Sequence, residues 1–390
     1  MRQILVLLFI VFAFLGCNQK QVVQLKMPGK QAPVVQAAKP QVVDEDKTTV
    51  IEEFTPVEVF ETDVKEQIMN NSGSKNEVLE NDDKFSAIDT TKANVNIAFV
   101  YPKNLIKYSK GSISTVGSYL SYKNIKYNLK VIELENEDYN SIENTFSNLK
   151  NSGFSDVIAL FTPNAINSLS KIVDSDFKVY LPLIEKKNSL ETNDNLIFGS
   201  ISYEEQLKKL SYYSNGDNVL FYQNTYLSKN IKKAYNSVVS SGREKEINNN
   251  ERNFKGLVSG LNNSTLYLNI EVVKSAMLLS QLRASNVNPN FIFGTQANYD
   301  LNLLNLTQED DRKKMLIANS IPEIDKKLRE EINSGGADLN FSWVDYSTLV
   351  GINYLVDGNS SLIPTKIDDN QAIYTPRLFK ATAYGFVEIK

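Results

Sequence analysis

The chain has 390 residues, a formal net charge of -4 at pH 7, one cysteine and no histidine. The missing histidine excludes Ser-His-Asp and Cys-His catalysis, His-ligated zinc sites and HExxH proteases. The negative charge argues against nucleic-acid binding, and a lone cysteine forms no internal disulfide.

The N-terminus has the three-part pattern of a secretory signal. Arg2 gives a positive start, an apolar run extends from Ile4 to Leu15, and Gly16 precedes Cys17. The run is too short to span a bilayer comfortably. A cysteine directly after a small residue resembles the bacterial lipoprotein signal, which implies removal of residues 1–16 and lipid anchoring through Cys17. The alternatives are an ordinary signal peptide with a chance cysteine and a buried thiol.

Residues 17–93 are predicted to form a disordered tether. Their polar composition, rich in Gln, Lys and Asn, offers too little apolar surface to offset the entropy of ordering. Such a tether suits a lipid-anchored protein that reaches away from its membrane. Asn18 stands where an aspartate would indicate retention in the inner membrane, so the outer membrane is favoured. Alternatively, the paired valines of this segment dock on a partner.

An alternation of strand and helix patterns begins near residue 94. The apolar run VNIAFVYP ends in proline and is typical of a buried parallel strand. GSISTVGSYLSY predicts a helix that starts with Ser112 or Ser114 as its N-cap. Further strands are predicted at YNLKVIELE, DVIALFTP, KVYLPLI and NLIFGSI, and further helices at NSIENTFSNLKNSG and NAINSLSKIV. This βαβ spacing predicts a parallel sheet covered by helices on both faces.

The alternation then starts again with the predicted helix SYEEQLKKLSYY. The strand DNVLFYQ and the helix LSKNIKKAYNSVVSSG follow, and the pattern continues through FKGLVSG, STLYLNI, VVKSAMLLSQLRAS and NFIFGTQ. PEIDKKLREEINSGG and DYSTLVGINYLVDG are predicted helices, and YTPRLFKATAYGFVEIK is a predicted hairpin-like tail. Two doubly wound α/β runs predict two lobes of ordinary size with one cleft.

Five ordered segments carry a family resemblance: IAFVYPKNLIKYSKGSISTVGSYLSY, SDVIALFTPNAINSL, NLIFGSISYEEQLKKLSYY, VVKSAMLLSQLRASNVNPNFIFGTQ and TPRLFKATAYGFV. Together they resemble the type I periplasmic-binding-protein superfamily, which includes amino-acid receptors and penicillin-binding protein activator lipoproteins. The resemblance implies an α/β fold of two lobes with doubly wound parallel sheets. Because such folds cross between lobes repeatedly, it implies a lobe one of 94–201 plus about 340–362. Lobe two is then 202–339 plus about 363–390.

Three family positions differ here in a way that bears on the ligand. The turn after the fourth strand, which in amino-acid receptors is Ser/Thr-rich and holds the ligand carboxylate, reads LIEKKNSLETND. The Gly-Pro usual after the third strand is replaced by LFTPN, and the acidic residue near the end of the second strand corresponds to Glu133 or Glu135. These departures disfavour amino-acid binding and favour another ligand or a protein partner.

The candidate cleft residues follow from the strand ends, because ligands of open α/β sheets bind beyond the carboxyl ends of the strands. The helix start after the third strand is also a candidate anion site, and Tyr and Asn suit sugar or peptide recognition. For each position the alternative is an ordinary loop residue. The candidates are Tyr101, Lys103, Tyr108, Ser109, Thr162, Asn164, Glu185 and Lys186 in the first lobe, and Tyr222, Asn224, Asn269 and Gln296 in the second.

Two short segments fit the acidic bacterial N-glycosylation pattern, in which an acidic residue stands two before the asparagine and a serine two after it. They are DLNFS, which contains Asn340, and DGNSS, which contains Asn359. The alternative is a chance match in an asparagine-rich chain.

The leading hypothesis is a lipid-anchored, non-catalytic binding protein of the bacterial cell envelope that faces the periplasm. Its two-lobe cleft docks a protein partner, such as the peptidoglycan synthase implied by the activator resemblance. The alternative is a receptor that delivers a small polar ligand to an ABC transporter or a sensor. A third hypothesis is a hydrolase with a close carboxylate pair, although no motif indicates one. No cofactor, metal or nucleic acid is predicted.

Overall fold

The structure is a computed structural model that describes residues 78–79, 95–188 and 193–389. They belong to one compact unit, Phe60–Lys390. The predicted signal peptide, Cys17 and most of the predicted tether lie outside the described residues. Within the tether range, the structure describes Val78–Leu79 as a short strand that pairs with Leu129 and Lys130. In the described part of the chain, no helix is long and apolar enough to cross a membrane.

The strands of the described residues are numbered in chain order. They are β1 Val78–Leu79, β2 Val95–Pro102, β3 Tyr127–Leu134, β4 Asp156–Ala159, β5 Lys178–Leu181, β6 Leu196–Phe198, β7 Asn218–Tyr222, β8 Arg243–Glu246, β9 Thr265–Asn269, β10 Phe291–Gly294, β11 Met315–Asn319, β12 Lys366–Asp368, β13 Gln371–Ile373, β14 Arg377–Thr382 and β15 Gly385–Ile389.

The α-helices are numbered in the same way. They are α1 Ile106–Tyr122, α2 Tyr139–Asn151, α3 Ile166–Ile172, α4 Tyr203–Ser211, α5 Tyr226–Val238, α6 Lys255–Val258, α7 Val272–Ala284, α8 Leu301–Leu306, α9 Glu309–Arg312, α10 Lys326–Ser334 and α11 Trp343–Asp357. Short 3-10 turns occupy Lys103–Leu105, Pro163–Ala165, Lys186–Asn188 and Gln296–Asn298.

These elements build two sheets, each parallel except near one edge. The first sheet has the strand order β1-β3-β2-β4-β5-β6-β13-β12, and only the β12–β13 pair is antiparallel. The second sheet has the order β15-β14-β11-β10-β9-β7-β8, with antiparallel pairing of β14 to β11 and to β15. The predicted two-lobe α/β architecture and the hairpin-like tail are both present.

The strand β2 is apolar and buried from Ile97 onward because both faces of its sheet are covered. Ile97 and Phe99 point into a core formed with α1, α10 and α11. Ala98 and Val100 point to the opposite face, into a core formed with α2 and α3. Side chains alternate across a strand, so a strand that is buried on two sides needs apolar residues at every position.

Three crossovers join the two lobes. They follow β6, β11 and β13, and each leaves its sheet from the carboxyl end of a strand. The helices α10 and α11 both pack on α1 of the first lobe. The predicted boundaries place α11 in lobe one, within about 340–362, but they assign α10 to lobe two, within 202–339. The strands β12 and β13 lie in the first sheet, whereas the prediction places residues after about 362 in lobe two. Local patterns identify elements, but only long-range packing assigns them to a sheet.

One local prediction differs from the structure, and two elements have no specific prediction. The helix after β2 begins at Ile106 rather than near Gly111, so Ser112 is a buried interior residue instead of an N-cap. FKGLVSG contains the short helix α6, and the strand β8 has no predicted counterpart. The sequence of β8, REKE, is charged and mostly exposed because it forms an edge of its sheet, and charged side chains are common on such edges.

Candidate functional site

The candidate residues lie at the edge where the lobes are joined. Helices that run back along a parallel sheet begin at the carboxyl ends of its strands. In both sheets, the crossovers between the lobes also begin at the carboxyl ends of strands. The strand ends and the first turns of α1, α4, α5, α7 and α8 therefore belong to the cleft side of the two lobes.

The residues after β2 make mostly local contacts. The Tyr101 hydroxyl donates to Glu133 Oε2 at 2.9 Å, which joins the ends of β2 and β3. The ammonium of Lys103 lies 3.5 Å from a carboxylate oxygen of Glu135, and both side chains are largely exposed. Ser109 is buried and donates to the carbonyl oxygen of its own helix at Ile106. Of the four candidates here, Tyr108 presents the most open aromatic surface, because its ring is exposed.

The predicted anion position after β4 is filled by a carboxylate of the same chain. The backbone N–H of Thr162 donates to Glu137 Oε1 at 2.6 Å, and the Thr162 hydroxyl donates to Glu137 Oε2 at 2.5 Å. The Thr162 oxygen also accepts from the N–H of Asn164. Glu137 lies 25 positions before Thr162, so no local sequence signal predicts this contact.

The turn after β5 is tied to the C-terminal part of the first sheet. The backbone N–H of Lys186 donates to Gln371 Oε1 at 2.8 Å. The Lys186 ammonium donates to the carbonyl oxygen of Asp369 at 2.8 Å and lies 2.7 Å from its carboxylate. The predicted binding turn is therefore braced by the β12–β13 hairpin.

A charged chain continues from this turn into the second lobe. Lys187 Nζ lies 3.1 Å from a carboxylate oxygen of Glu185 and 3.1 Å from one of Glu204, at the start of α4. Lys208 pairs with Glu204 from the next helical turn. The hydrogen bonds from Lys208 and Lys187 lower the pKa of Glu204. Glu185 therefore belongs to an ion-pair network across the first crossover.

Two second-lobe candidates are buried and hold loops in place. The Asn269 amide donates to the carbonyl oxygen of Ser228 at 2.6 Å, and the Ser228 hydroxyl donates to that of Asn269 at 2.7 Å. The backbone N–H of Gln296 donates to Gln206 Oε1, and Gln296 Oε1 accepts from the N–H of Ser320. The Gln206 amide closes the ring by donating to the Ser320 hydroxyl at 2.7 Å. This glutamine ring links two of the crossovers.

Tyr222 and Asn224 line a cavity of about 490 Å³ beside α5. Lys232 Nζ lies 3.7 Å from the centre of the Tyr222 ring and 2.6 Å from Glu244. The other lining residues are Lys229, Lys233, Asn236 and Glu246. Lys229 and Lys233 lie one helical turn apart, both are exposed, and among the described residues neither forms an ion pair. The cavity therefore combines an aromatic face with unpaired positive charge.

Large apolar side chains are exposed at the first turns of the cleft-side helices. Of these side chains the sequence predicts only Tyr108 as a cleft residue, because apolar residues at a helix start are usually assigned to the core. Neighbouring exposed apolar side chains mark binding surfaces, whereas isolated ones are common on any protein. Here Ile106 lies close to Tyr108 in the sequence, and Tyr226 is next to Leu227. The exposed side chains are Ile106 and Tyr108 in α1, Tyr226 and Leu227 in α5, Val273 in α7 and Leu301 in α8.

The acidic side chains at this edge are already engaged. Glu133 accepts from Tyr101, and Glu137 accepts twice from Thr162. Among residues 95–188 and 193–389, no group of three or more His, Cys, Asp or Glu side chains is arranged to hold a metal ion.

Comparison with known proteins identifies the fold. No family model matches the chain, and no curated protein does. A possible leucine/isoleucine/valine-binding protein from Rhodopirellula baltica SH 1 matches with a TM-score of 0.55 and 13% identity, over 76% of this chain and 96% of that chain. A solute-binding protein of an ABC transporter from R. palustris, in complex with 4-hydroxybenzoate, matches with a TM-score of 0.54 and 8% identity, over 76% and 95%.

LpoA from Haemophilus influenzae matches with a TM-score of 0.54 and 11% identity, over 76% of this chain and 58% of LpoA. The chain thus spans little more than half of that protein. These similarities show the type I periplasmic-binding-protein-like fold and confirm the predicted resemblance at the level of the fold. The fold is shared by solute-binding proteins and LpoA, so it does not distinguish between their functions.

Proposed function

We propose that this protein is a non-catalytic, lipid-anchored binding protein of the cell envelope that docks a protein partner on the cleft side of its lobes. The partner class favoured by the sequence resemblance is a peptidoglycan synthase. The observation that carries the proposal is the set of exposed apolar side chains at the first turns of α1, α5, α7 and α8. The lipid anchor at Cys17 and the outer-membrane location rest on the sequence pattern alone.

Two features of the site favour a protein partner over a small ligand. A small-molecule site needs a few polar groups that converge on the ligand. Here Thr162, Lys186, Asn269 and Gln296 are engaged by other parts of the chain. Protein interfaces instead bury aromatic and aliphatic side chains inside a polar rim, and the helix starts supply such side chains.

Site-specific crosslinking in the envelope tests this proposal. A photoreactive residue at Leu227 or Val273, on the cleft side, is expected to capture a peptidoglycan synthase. The matched control is Tyr212, which is 87% exposed and follows the last residue of α4 at the opposite edge of the second lobe. Capture of transporter components without a synthase, or equal capture from position 212, contradicts docking.

A receptor for a small acidic ligand is the second candidate, because the cavity beside α5 contains Lys229 and Lys233 without described ion-pair partners. A ligand at about 100 times its dissociation constant adds roughly 2.7 kcal/mol to the free energy of unfolding. For about 300 residues this raises Tm by roughly 4 °C. A panel of acidic sugars, muropeptides and amino acids that raises Tm in the wild type but not in Lys229→Gln/Lys233→Gln supports this candidate.

A further inference from the structure

We infer that Asn340 is an N-glycosylation site and that Asn359, which lies in an equivalent sequence pattern, is not. Both asparagines have an aspartate two residues before and a serine two residues after. Both are also exposed. Sequence and exposure therefore do not separate them, whereas their hydrogen bonds do. The inference rests on the predicted export of the chain and is independent of the proposed docking function.

The side chain of Asn359 is clamped to a strand. Its amide nitrogen donates to the carbonyl oxygen of Ile367 at 2.8 Å, and its oxygen accepts from the N–H of Ile367 at 2.8 Å. This two-point contact anchors the start of β12 next to the end of α11. To react, the Asn359 side chain has to leave both hydrogen bonds, one made by its nitrogen and one by its oxygen. This leaves the backbone N–H and carbonyl of Ile367 without their partners.

The aspartate of the second pattern is engaged as well. Asp357 accepts from the hydroxyl of Tyr119 at 2.8 Å and lies 3.0 Å from the ammonium of Lys123. Both partners belong to α1 and its C-terminal end, more than 200 positions earlier in the chain. A transferase that recognises the Asp357 carboxylate has to break its contacts with Tyr119 and Lys123.

Asn340 lies at the tip of a local turn. The turn closes through a hydrogen bond from the N–H of Ser342 to the carbonyl oxygen of Asp338 at 2.9 Å. Among the described residues, the Asp338 carboxylate accepts from the N–H groups of Asn340 and Phe341. No described residue forms a hydrogen bond with the Asn340 side-chain amide. Its nitrogen is therefore available without loss of a hydrogen bond within the described chain. The neighbours of Asn340 do have contacts, because Ser342 accepts from the N–H of Asp345 and the Phe341 ring lies 5.5 Å from that of Tyr299, but neither contact involves the Asn340 amide.

The reaction is a transfer of a glycan from a lipid pyrophosphate carrier. The Asn340 amide nitrogen forms a bond to the anomeric carbon of the first sugar, and the bond from that carbon to the pyrophosphate oxygen breaks. The lipid pyrophosphate leaves with the electron pair, and the amide loses one proton. Both glycan and carrier are supplied by the co-substrate, so no oxidant or reductant is required.

The test is in vitro glycosylation of the folded full chain by a bacterial oligosaccharyltransferase that reads acidic sequons, with a lipid-linked oligosaccharide as donor. Intact mass and peptide mapping are expected to show one glycan, located on Asn340. Asn359→Gln keeps this glycan and Asn340→Gln loses it. Ser342→Thr, which retains the hydroxyl, is modified, whereas Ser342→Ala is not.

Short synthetic peptides that cover 336–344 and 355–363 show whether the transferase accepts each sequence pattern outside the folded protein. We expect both peptides to be modified, because neither is held by the folded chain. In the folded chain, a glycan on Asn359 overturns the proposal, and so does an unmodified Asn340 when its peptide is modified. If neither peptide accepts the glycan, the acidic pattern is a chance match and the proposal is wrong.

Discussion

A buried carboxyl group, Asp345, is expected to make the stability of the fold depend on pH. Asp345 lies in the first turn of α11 and is only 5% exposed. It accepts from the N–H of Asp338 at 2.9 Å and from the hydroxyl of Ser112 at 3.5 Å. Burial raises the pKa of Asp345 from 3.8 to about 6, and the charge of Asp338 adds to this rise, although the hydrogen bonds oppose it.

The direction of the effect follows from proton binding. Between pH 3.8 and 6 the folded state holds a proton on Asp345 that the unfolded chain has released, so the free energy of unfolding falls as pH rises through this window. The rise of the pKa from 3.8 to about 6 corresponds to roughly 3 kcal/mol in total. Between pH 5 and pH 7 the loss is about 1.3 kcal/mol. For about 300 residues this lowers Tm by roughly 2 °C.

The substitution that isolates this effect is Asp345→Asn. The amide is neutral at every pH, and its oxygen can still accept from the N–H of Asp338. Urea unfolding is measured at pH 5, 6 and 7 for the wild type and the variant. Because only the wild type loses stability through Asp345, the stability of the variant relative to the wild type should rise by about 1.3 kcal/mol from pH 5 to pH 7.

The control is Asp310→Asn, which removes a carboxylate that is 74% exposed in the short helix α9. At pH 7 this substitution changes the net charge by the same amount as Asp345→Asn, and it leaves the interface between α1 and α11 intact. A stability difference between Asp345→Asn and the wild type that stays flat between pH 5 and pH 7, or that falls with pH, would refute the reasoning.

Three further substitutions test contacts that position the site. Glu137→Gln should lower the free energy of unfolding in urea by about 1–3 kcal/mol, because it weakens two charge-assisted hydrogen bonds to Thr162. A loss below about 0.5 kcal/mol means that Glu137 does not hold Thr162 in place. Gly351→Ala should cost about 1–3 kcal/mol, because the added carbon would lie 2.3 Å from the buried Tyr180 ring. Its control, Gly256→Ala, has no atom within 4 Å and should not destabilise the fold. Gln206→Ala should lower the free energy of unfolding, measured by calorimetry, by about 2–4 kcal/mol, because it leaves buried partners at Gln296 and Ser320 unpaired. An unchanged Tm means that the glutamine ring does not hold the crossovers.

The amino-acid sequence by itself determined the order and type of most elements. The apolar run of β2 is readable because a strand covered on both faces excludes polar residues at nearly every position. The amphipathic pattern of α2 is equally local, and Asp138 caps its start by accepting from the N–H of Ser141. Strict alternation of such elements leaves few topologies open, so the two-lobe α/β fold could be predicted.

Only the tertiary structure decided what the candidate residues contact. Glu137 reaches Thr162 across 25 positions, and Gln371 reaches the turn at Lys186 across 185 positions. The tertiary structure also decides which helix starts are exposed. It decides the hydrogen bonds between Asn359 and Ile367 as well, because they depend on where β12 joins its sheet. Periodicity records which face of an element is buried, because burial acts on each residue separately. It does not record which distant hydrogen-bonding partner satisfies a polar group, because that depends on how the elements pack.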